Sequence, residues 1–341
     1  MTSKTSCIHP SNAHHILYVH IPKTAGRAFH AMMAEEFGLD RVFKLGLQND
    51  KSTKSVADLM ALSAAQQNTY NMFIGHLPHG LQEHLCSVTM QLTCLRDPVA
   101  RILSLRKYNQ KIGLAMPEMK TWLTEDFEAS NGMVKRFLGL HLEDGKYFDF
   151  RKNKTFHANI TLTEDDLFEA IEIIEQNYPL VMLMERFSES LVLLQRRLNS
   201  GPLFSIWHNY RNQTGYVPGY QETSQEMLDY IMEVNELDIR LYNHFAQKFA
   251  QMISSQDNEF QEELRIHRKI TQILKHQQGN TLSVEEFQLK INSLVTSAMA
   301  GKDISDTATI LNMFAEKLKE SVGFQQFNAK FQAHFTTMMA S

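Results

Sequence analysis

Lys23 and Thr24 stand where an apolar run, Ile16-Leu17-Tyr18-Val19-His20-Ile21, breaks into the turn Pro22-Lys23-Thr24-Ala25-Gly26. An amphipathic pattern follows, from Ala28 and Phe29 to Phe37. The expected unit is strand, tight turn and helix. It brings a lysine, a hydroxyl and the N–H groups of a helix N-terminus to the place where an anion would sit. The Gly-x-x-x-x-Gly-Lys-Ser/Thr spacing of the nucleotide triphosphatases is missing. The expected ligand is therefore a phosphate-like group other than the γ-phosphate of ATP.

A second set of such residues is Arg96, Asp97 and Ser104. The run Thr89-Met90-Gln91-Leu92-Thr93-Cys94-Leu95 reads as a buried strand leading straight into Arg96-Asp97-Pro98. Asp97 suits a helix N-cap and Pro98 the first helical position, so a helix should carry Ile102, Leu103 and Leu105 into the core. Arg96 then lies at the carboxyl end of a strand, in the crevice where open α/β sheets hold ligands. Its rigid fork matches phosphate oxygens, and Ser104, two turns into the helix, can add a hydroxyl.

Together these segments resemble the PAPS-dependent sulfotransferases, in particular the carbohydrate (heparan sulfate 2-O-sulfotransferase-like) branch and its bacterial relatives. The resemblance rests on His20 to Gly26, on Gly75-His76, and on Leu95-Arg96-Asp97-Pro98-Val99-Ala100-Arg101-Ile102-Leu103-Ser104. Weaker echoes lie at Asn131 to Leu138, at Glu185-Arg186-Phe187, and at Asp238 with Leu241-Tyr242. It covers roughly residues 14 to 246.

The resemblance implies a three-layer α/β/α sandwich with a central parallel sheet, a P-loop-like sulfotransferase fold. It implies PAPS (3′-phosphoadenosine 5′-phosphosulfate) as sulfuryl donor, no metal, and a hydroxyl-bearing acceptor expected to be a glycan. Lys23, Thr24, Ala25 and Gly26 would hold the 5′-phosphosulfate, with Lys23 also catalytic beside the bridging oxygen. Arg96 and Ser104 would hold the 3′-phosphate. His76, at the end of a predicted strand, would be the general base, with His79 the runner-up and His20 shaping the loop. The family pattern continues Thr-Ser after the loop glycine, whereas this chain has Arg27-Ala28. Arg27 either supplies a positive charge in place of two hydroxyls or points away as a helix-surface residue. Arg211-Asn212-Gln213-Thr214 matches a late nucleotide-binding segment or is a plain surface loop. Asn131 and Arg136 match an acceptor-side pattern, or Arg136 makes a structural salt bridge. Two other readings stay open: a catalytically silent sulfotransferase-fold binding module, and a P-loop-type kinase.

The elements around these residues alternate between strand and helix, as a covered parallel sheet requires. Thr163-Glu164-Asp165-Asp166 should cap a helix through Leu167, Ala170, Ile171 and Ile174, followed by a buried strand from Leu180 to Met184. Residues 1–13 read as a flexible tail, 14–250 as the sulfotransferase domain, and 251–341 as a helical appendage through which the chain could form a homo-oligomer. At 341 residues and 43% hydrophobic content the chain has material for one large core, which excludes a disordered protein. A net charge of −4 without a long Lys/Arg run argues against nucleic acid as partner. Three cysteines, odd in number, argue against a disulfide framework. With no apolar stretch near the ~20 residues of a membrane span, the expected protein is cytoplasmic and bacterial in style.

Overall fold

The computed structural model describes residues 15–45, 54–87, 89–143, 145–157, 160–198 and 222–275. The chain opens with β1 (His15–Val19), α1 (Gly26–Phe37), β2 (Val42–Leu45), α2 (Val56–Met60), α3 (Ala64–Gln67), β3 (Met72–Gly75) and β4 (Thr89–Leu95). It continues with α4 (Pro98–Lys111), α5 (Met119–Glu125), α6 (Gly132–Phe137), β5 (Leu140–Glu143), β6 (Lys146–Asp149) and β7 (Lys154–His157). Then come α7 (Glu164–Asn177), β8 (Leu180–Leu183), α8 (Phe187–Leu198), α9 (Gln225–Val234), α10 (Glu236–Ser254) and α11 (Asn258–Lys275).

The strands β1, β3 and β8 are buried at every position, the pattern of a sheet covered on both faces. They form a five-stranded sheet in the order β2-β3-β1-β4-β8, and β1 pairs parallel with both β3 and β4. The α/β class with a central parallel sheet is thus the one expected. Opposite Val19 of β1 stand Gly75 of β3 and Thr93 of β4, so the carboxyl ends of three strands lie side by side. The chain lays β2 and β3 on one side of β1 before crossing to β4 on the other, which makes the rim above β1 the reversal point of the sheet. Gly75 is required for a close approach: a Cβ there would lie 2.2 Å from the Leu45 carbonyl oxygen.

Local chemistry sets the helix starts. Asp97 accepts from the Ala100 N–H at 2.8 Å with Pro98 in the first turn, and Thr163 forms a capping box with Asp166. A second, three-stranded antiparallel sheet, β5-β6-β7, was not anticipated.

Clustering of contacts divides the chain into two units. One comprises Met1–Gly26, Phe43–Phe187 and Thr214–Ser255; the other comprises Arg27–Val42, Ser188–Gln213 and Gln256–Ser341. The first contains the core of the main sheet and a buried polar network that joins α4, α6 and α10. Asp238 of α10 accepts from the N–H groups of Met133 and Val134 at the start of α6 and from Arg101 of α4. Asn235 holds the carbonyls of Ala129 and Ile231 through its amide and accepts from the Asn131 N–H. In the second unit, Arg196 of α8 pairs with Asp257, Glu259 and Glu263 and lies over the Phe260 ring of α11. The expected tail at 1–13, and the helices and oligomer contacts expected in 276–341, lie outside the described residues. Among the described residues no helix is long and apolar enough to cross a membrane.

Candidate active site

The turn after β1 is built from unusual backbone. Lys23 (φ 72°) and Ala25 (φ 65°) both occupy the left-handed region, which costs a residue with a side chain roughly 1–2 kcal/mol each. Such alternation curls successive N–H groups toward a common point, the geometry of an anion nest. Thr24 staples the curl: its wholly buried hydroxyl donates to the Ile21 carbonyl at 2.7 Å. Its hydroxyl is thus turned inward. Gly26 faces the His20 ring so closely that a Cβ would come within 1.9 Å of Nε2. The Arg27 side chain lies outside the described residues.

Arg96 joins this turn to the end of β4. Its Nη1 donates to the Lys23 carbonyl at 3.0 Å, across 73 residues of sequence. Burial pulls its guanidinium below the usual value, while Glu185 and Asp97 push the other way. A poorly solvated cation of this kind is stabilised by an incoming anion. Glu185, two residues beyond the end of β8, accepts from the Asp97 N–H at 3.0 Å and from the Tyr242 hydroxyl at 2.9 Å. Burial first, and then the Glu185 carboxylate, raise the Tyr242 phenol above its normal range.

The Lys23 ammonium lies 4.2 Å from the centre of the Tyr108 ring. Tyr108 is four residues beyond Ser104 on α4, so the two share a helix face. Lys23, Arg96 and the helix bearing Ser104 are therefore brought together. Sequence reasoning missed Tyr108; its spacing from Ser104 was the available signal.

On the other flank of β1, the His20 and His76 rings stack with centroids 4.4 Å apart. The His20 N–H donates to the Gly75 carbonyl at 2.9 Å, fixing the ends of β1 and β3 against each other. His79 stands apart from this pair. It is buried, with Nδ1 3.3 Å from the Tyr178 hydroxyl and Nε2 3.3 Å from the Gln82 amide. Burial, with the Arg151 charge second, pulls it down to about 4, so it is neutral and enclosed near pH 7.

Asn131 and Arg136 belong to the buried network. Asn131, with φ 47°, donates to the Val234 carbonyl and accepts from the Asp238 N–H, and Arg136 is paired with Glu128. Arg211 to Thr214 lie outside the described residues. No cluster of three or more potential metal ligands occurs among the described residues.

The residues at the rim suit a donor with two anionic ends. The nest and Lys23 offer one positive locus, and Arg96 beside the start of α4 offers another. Comparison with known proteins agrees at the level of family. Over 191 residues the chain is 27% identical to galactose-3-O-sulfotransferase 2 of Mus musculus, covering 54% of this chain and 46% of the mouse protein. The match therefore spans about half the length of that relative. The relative is mammalian, and the bacterial style expected from the sequence gains nothing from it. The resemblance to sulfotransferases holds, but the matching family is the galactose 3-O one and not the heparan sulfate 2-O branch. Its model, described as galactose-3-O-sulfotransferase, matches residues 7–318, and the chain belongs to that family.

Proposed function

We propose that this protein moves the sulfuryl group of PAPS to a hydroxyl of a carbohydrate or glycoconjugate, with His76 as general base. The observation that carries the reading is the bond from Arg96 Nη1 to the Lys23 carbonyl, which makes one site of two anion-binding segments. The donor, when bound, supplies a sulfuryl group on a phosphate leaving group. Lys23 and the N–H groups of Ala25 and Gly26 hold the phosphosulfate end, with Thr24 bracing the loop and Arg27 adding charge. Lys23 stabilises the negative charge that grows on the departing phosphate oxygen, a contribution of about 3–4 kcal/mol for one well-placed donor. Arg96 and Ser104 hold the 3′-phosphate and so favour PAPS over ATP.

His76 takes the proton of the acceptor hydroxyl as its oxygen bonds to sulfur and the sulfur–oxygen bond to phosphate breaks. The products are a sulfate ester, the desulfated nucleotide PAP and a proton on the imidazole. His76 directly follows β3 and Lys23 lies in the turn after β1, the strand paired with β3, which supports a base and a leaving-group residue at one rim, as in-line transfer requires. The 3-hydroxyl of galactose is the acceptor to test first, because the mouse relative is named for it.

The test is a thermal-shift titration with PAP, ADP and ATP on wild type and Arg96→Ala, followed by transfer from labelled PAPS to galactosides by wild type and His76→Ala. Stabilisation by PAP alone, lost in Arg96→Ala, with turnover lost in a His76→Ala protein that still binds PAP, is the expected result. A flat response to PAP would sink the donor assignment. Equal responses to all three nucleotides would favour a kinase, and PAP binding without turnover by wild type would favour a silent binding module.

A further inference from the structure

We infer that Tyr108 is a positioning residue that holds the Lys23 side chain in its working direction. The inference rests on the role proposed above for Lys23.

Lys23 is held at both ends. Its carbonyl accepts from Arg96 Nη1 at 3.0 Å, and its ammonium sits 4.2 Å from the centre of the Tyr108 ring. The first contact supports a left-handed backbone that a lysine does not favour by itself. The second bears on the far end of a flexible four-carbon stem and sets a direction for the ammonium. An aromatic face is well suited to the task. It attracts a cation through its quadrupole yet carries no net charge, so the ammonium keeps its full charge for a departing phosphate oxygen. A carboxylate in the same place would neutralise that charge. Tyr108 also lies one helical turn beyond Ser104 on α4, whose start is fixed by the Asp97 cap. One rigid helix thus sets both the 3′-phosphate residue and the direction of Lys23, two tasks at opposite ends of the donor.

Tyr108 is only half-buried, so its replacement should leave the fold intact. Tyr108→Leu removes the ring and keeps an apolar side chain, whereas Tyr108→Phe keeps the ring and removes only the hydroxyl. The expected result is a kcat about tenfold lower in Tyr108→Leu with KM for PAPS changed less than about threefold, and a kcat within about twofold of wild type in Tyr108→Phe. A merely structural role would not give this split or this rescue.

A second readout needs no turnover. Lysines methylated with ¹³C-formaldehyde keep their charge, and the Lys23 signal is identified by its loss in Lys23→Arg. It should show an upfield ring-current shift in wild type and Tyr108→Phe, absent in Tyr108→Leu. An unshifted Lys23 signal in a wild type that transfers sulfate would overturn the inference and leave the proposed function standing. A shifted signal in a wild type with no transfer would fault the proposed function and remove the working role of Tyr108 with it. Wild-type kcat in Tyr108→Leu would also overturn it.

Discussion

Arg101 and Asp238, 137 residues apart in sequence, meet with Nη2 and Oδ2 3.3 Å apart, and neither side chain is exposed to water. Asp238 also accepts two N–H groups at the start of α6, where the helix end favours a negative charge. Burial raises the Asp238 carboxyl and lowers the Arg101 guanidinium, and the charge of each is the largest influence that opposes burial at the other.

Asp238→Ala should therefore cost about 3–5 kcal/mol, because it leaves two helix N–H groups without their acceptor and takes from the buried Arg101 guanidinium one of its two carboxylate partners, Glu128 being the other. Arg240→Ala breaks only exposed pairs, with Glu164 and Glu236, and should cost far less. Urea unfolding of both variants measures the contrast. Equal midpoints would show that the buried network does not hold α4, α6 and α10 together.

His79 should make the fold acid-sensitive. Its folded value of about 4 lies below the ordinary imidazole value of 6.5, so the unfolded chain binds the proton more tightly. Stability is fully present above about pH 6.5 and is lost as pH falls toward about 4, by on the order of 3 kcal/mol in all. His79→Asn should flatten that part of a stability–pH profile recorded by urea unfolding. An unchanged slope would mean that the imidazole is not enclosed as described.

Gly26 and Gly75 should respond differently to alanine. A Cβ at Gly75 meets the backbone carbonyl of Leu45 at 2.2 Å, and that oxygen cannot move without the strand. Gly75→Ala should lose several kcal/mol, at the severe end of single substitutions. A Cβ at Gly26 meets the His20 ring, which must then leave its stack on His76. Gly26→Ala should fold, with a transfer rate reduced more than its melting temperature. Thermal unfolding and initial rates on both variants separate the two effects.

Arg96→Lys keeps the charge but loses the fork. One ammonium cannot replace both the bond to the Lys23 carbonyl and a bidentate grip on phosphate. PAP affinity measured by calorimetry should fall about tenfold to a hundredfold, with ADP binding changed less. A lysine variant that binds PAP as wild type does would remove the fork from the account.

What the sequence revealed follows the range of the forces involved. The cap at Asp97, the proline after it and the Thr163 capping box are local devices, and each was legible within four residues. The buried strands β1 and β4 were equally legible, since neither run carries an Asp, Glu, Lys or Arg, as a parallel strand covered on both faces requires. The small sheet β5-β6-β7 was not, because Lys146-Tyr147-Phe148-Asp149 has charged ends and little apolar run. Asp144-Gly145 between β5 and β6 was the missed hairpin signal, with Gly145 at φ 70°. In the candidate site, Lys23 and Arg96 stood out by type and spacing, whereas His76 rested on the family resemblance. The turning inward of the Thr24 hydroxyl, the ring under Lys23 and the embedding of Arg136 beside Glu128 depend on contacts made only after the chain has folded.

The rim above the sheet has a left and a right. His76 directly follows the strand on one side of β1, whereas Arg96 directly follows the strand on the other. Under the proposed function, recognition of the nucleotide draws on the segments following β1 and β4, and deprotonation of the acceptor on the segment following β3. Mutations in the segment after β3 can retune which hydroxyl is presented while the nucleotide grip is inherited unchanged. A lineage built this way can diversify its acceptors quickly and remain conservative about its donor.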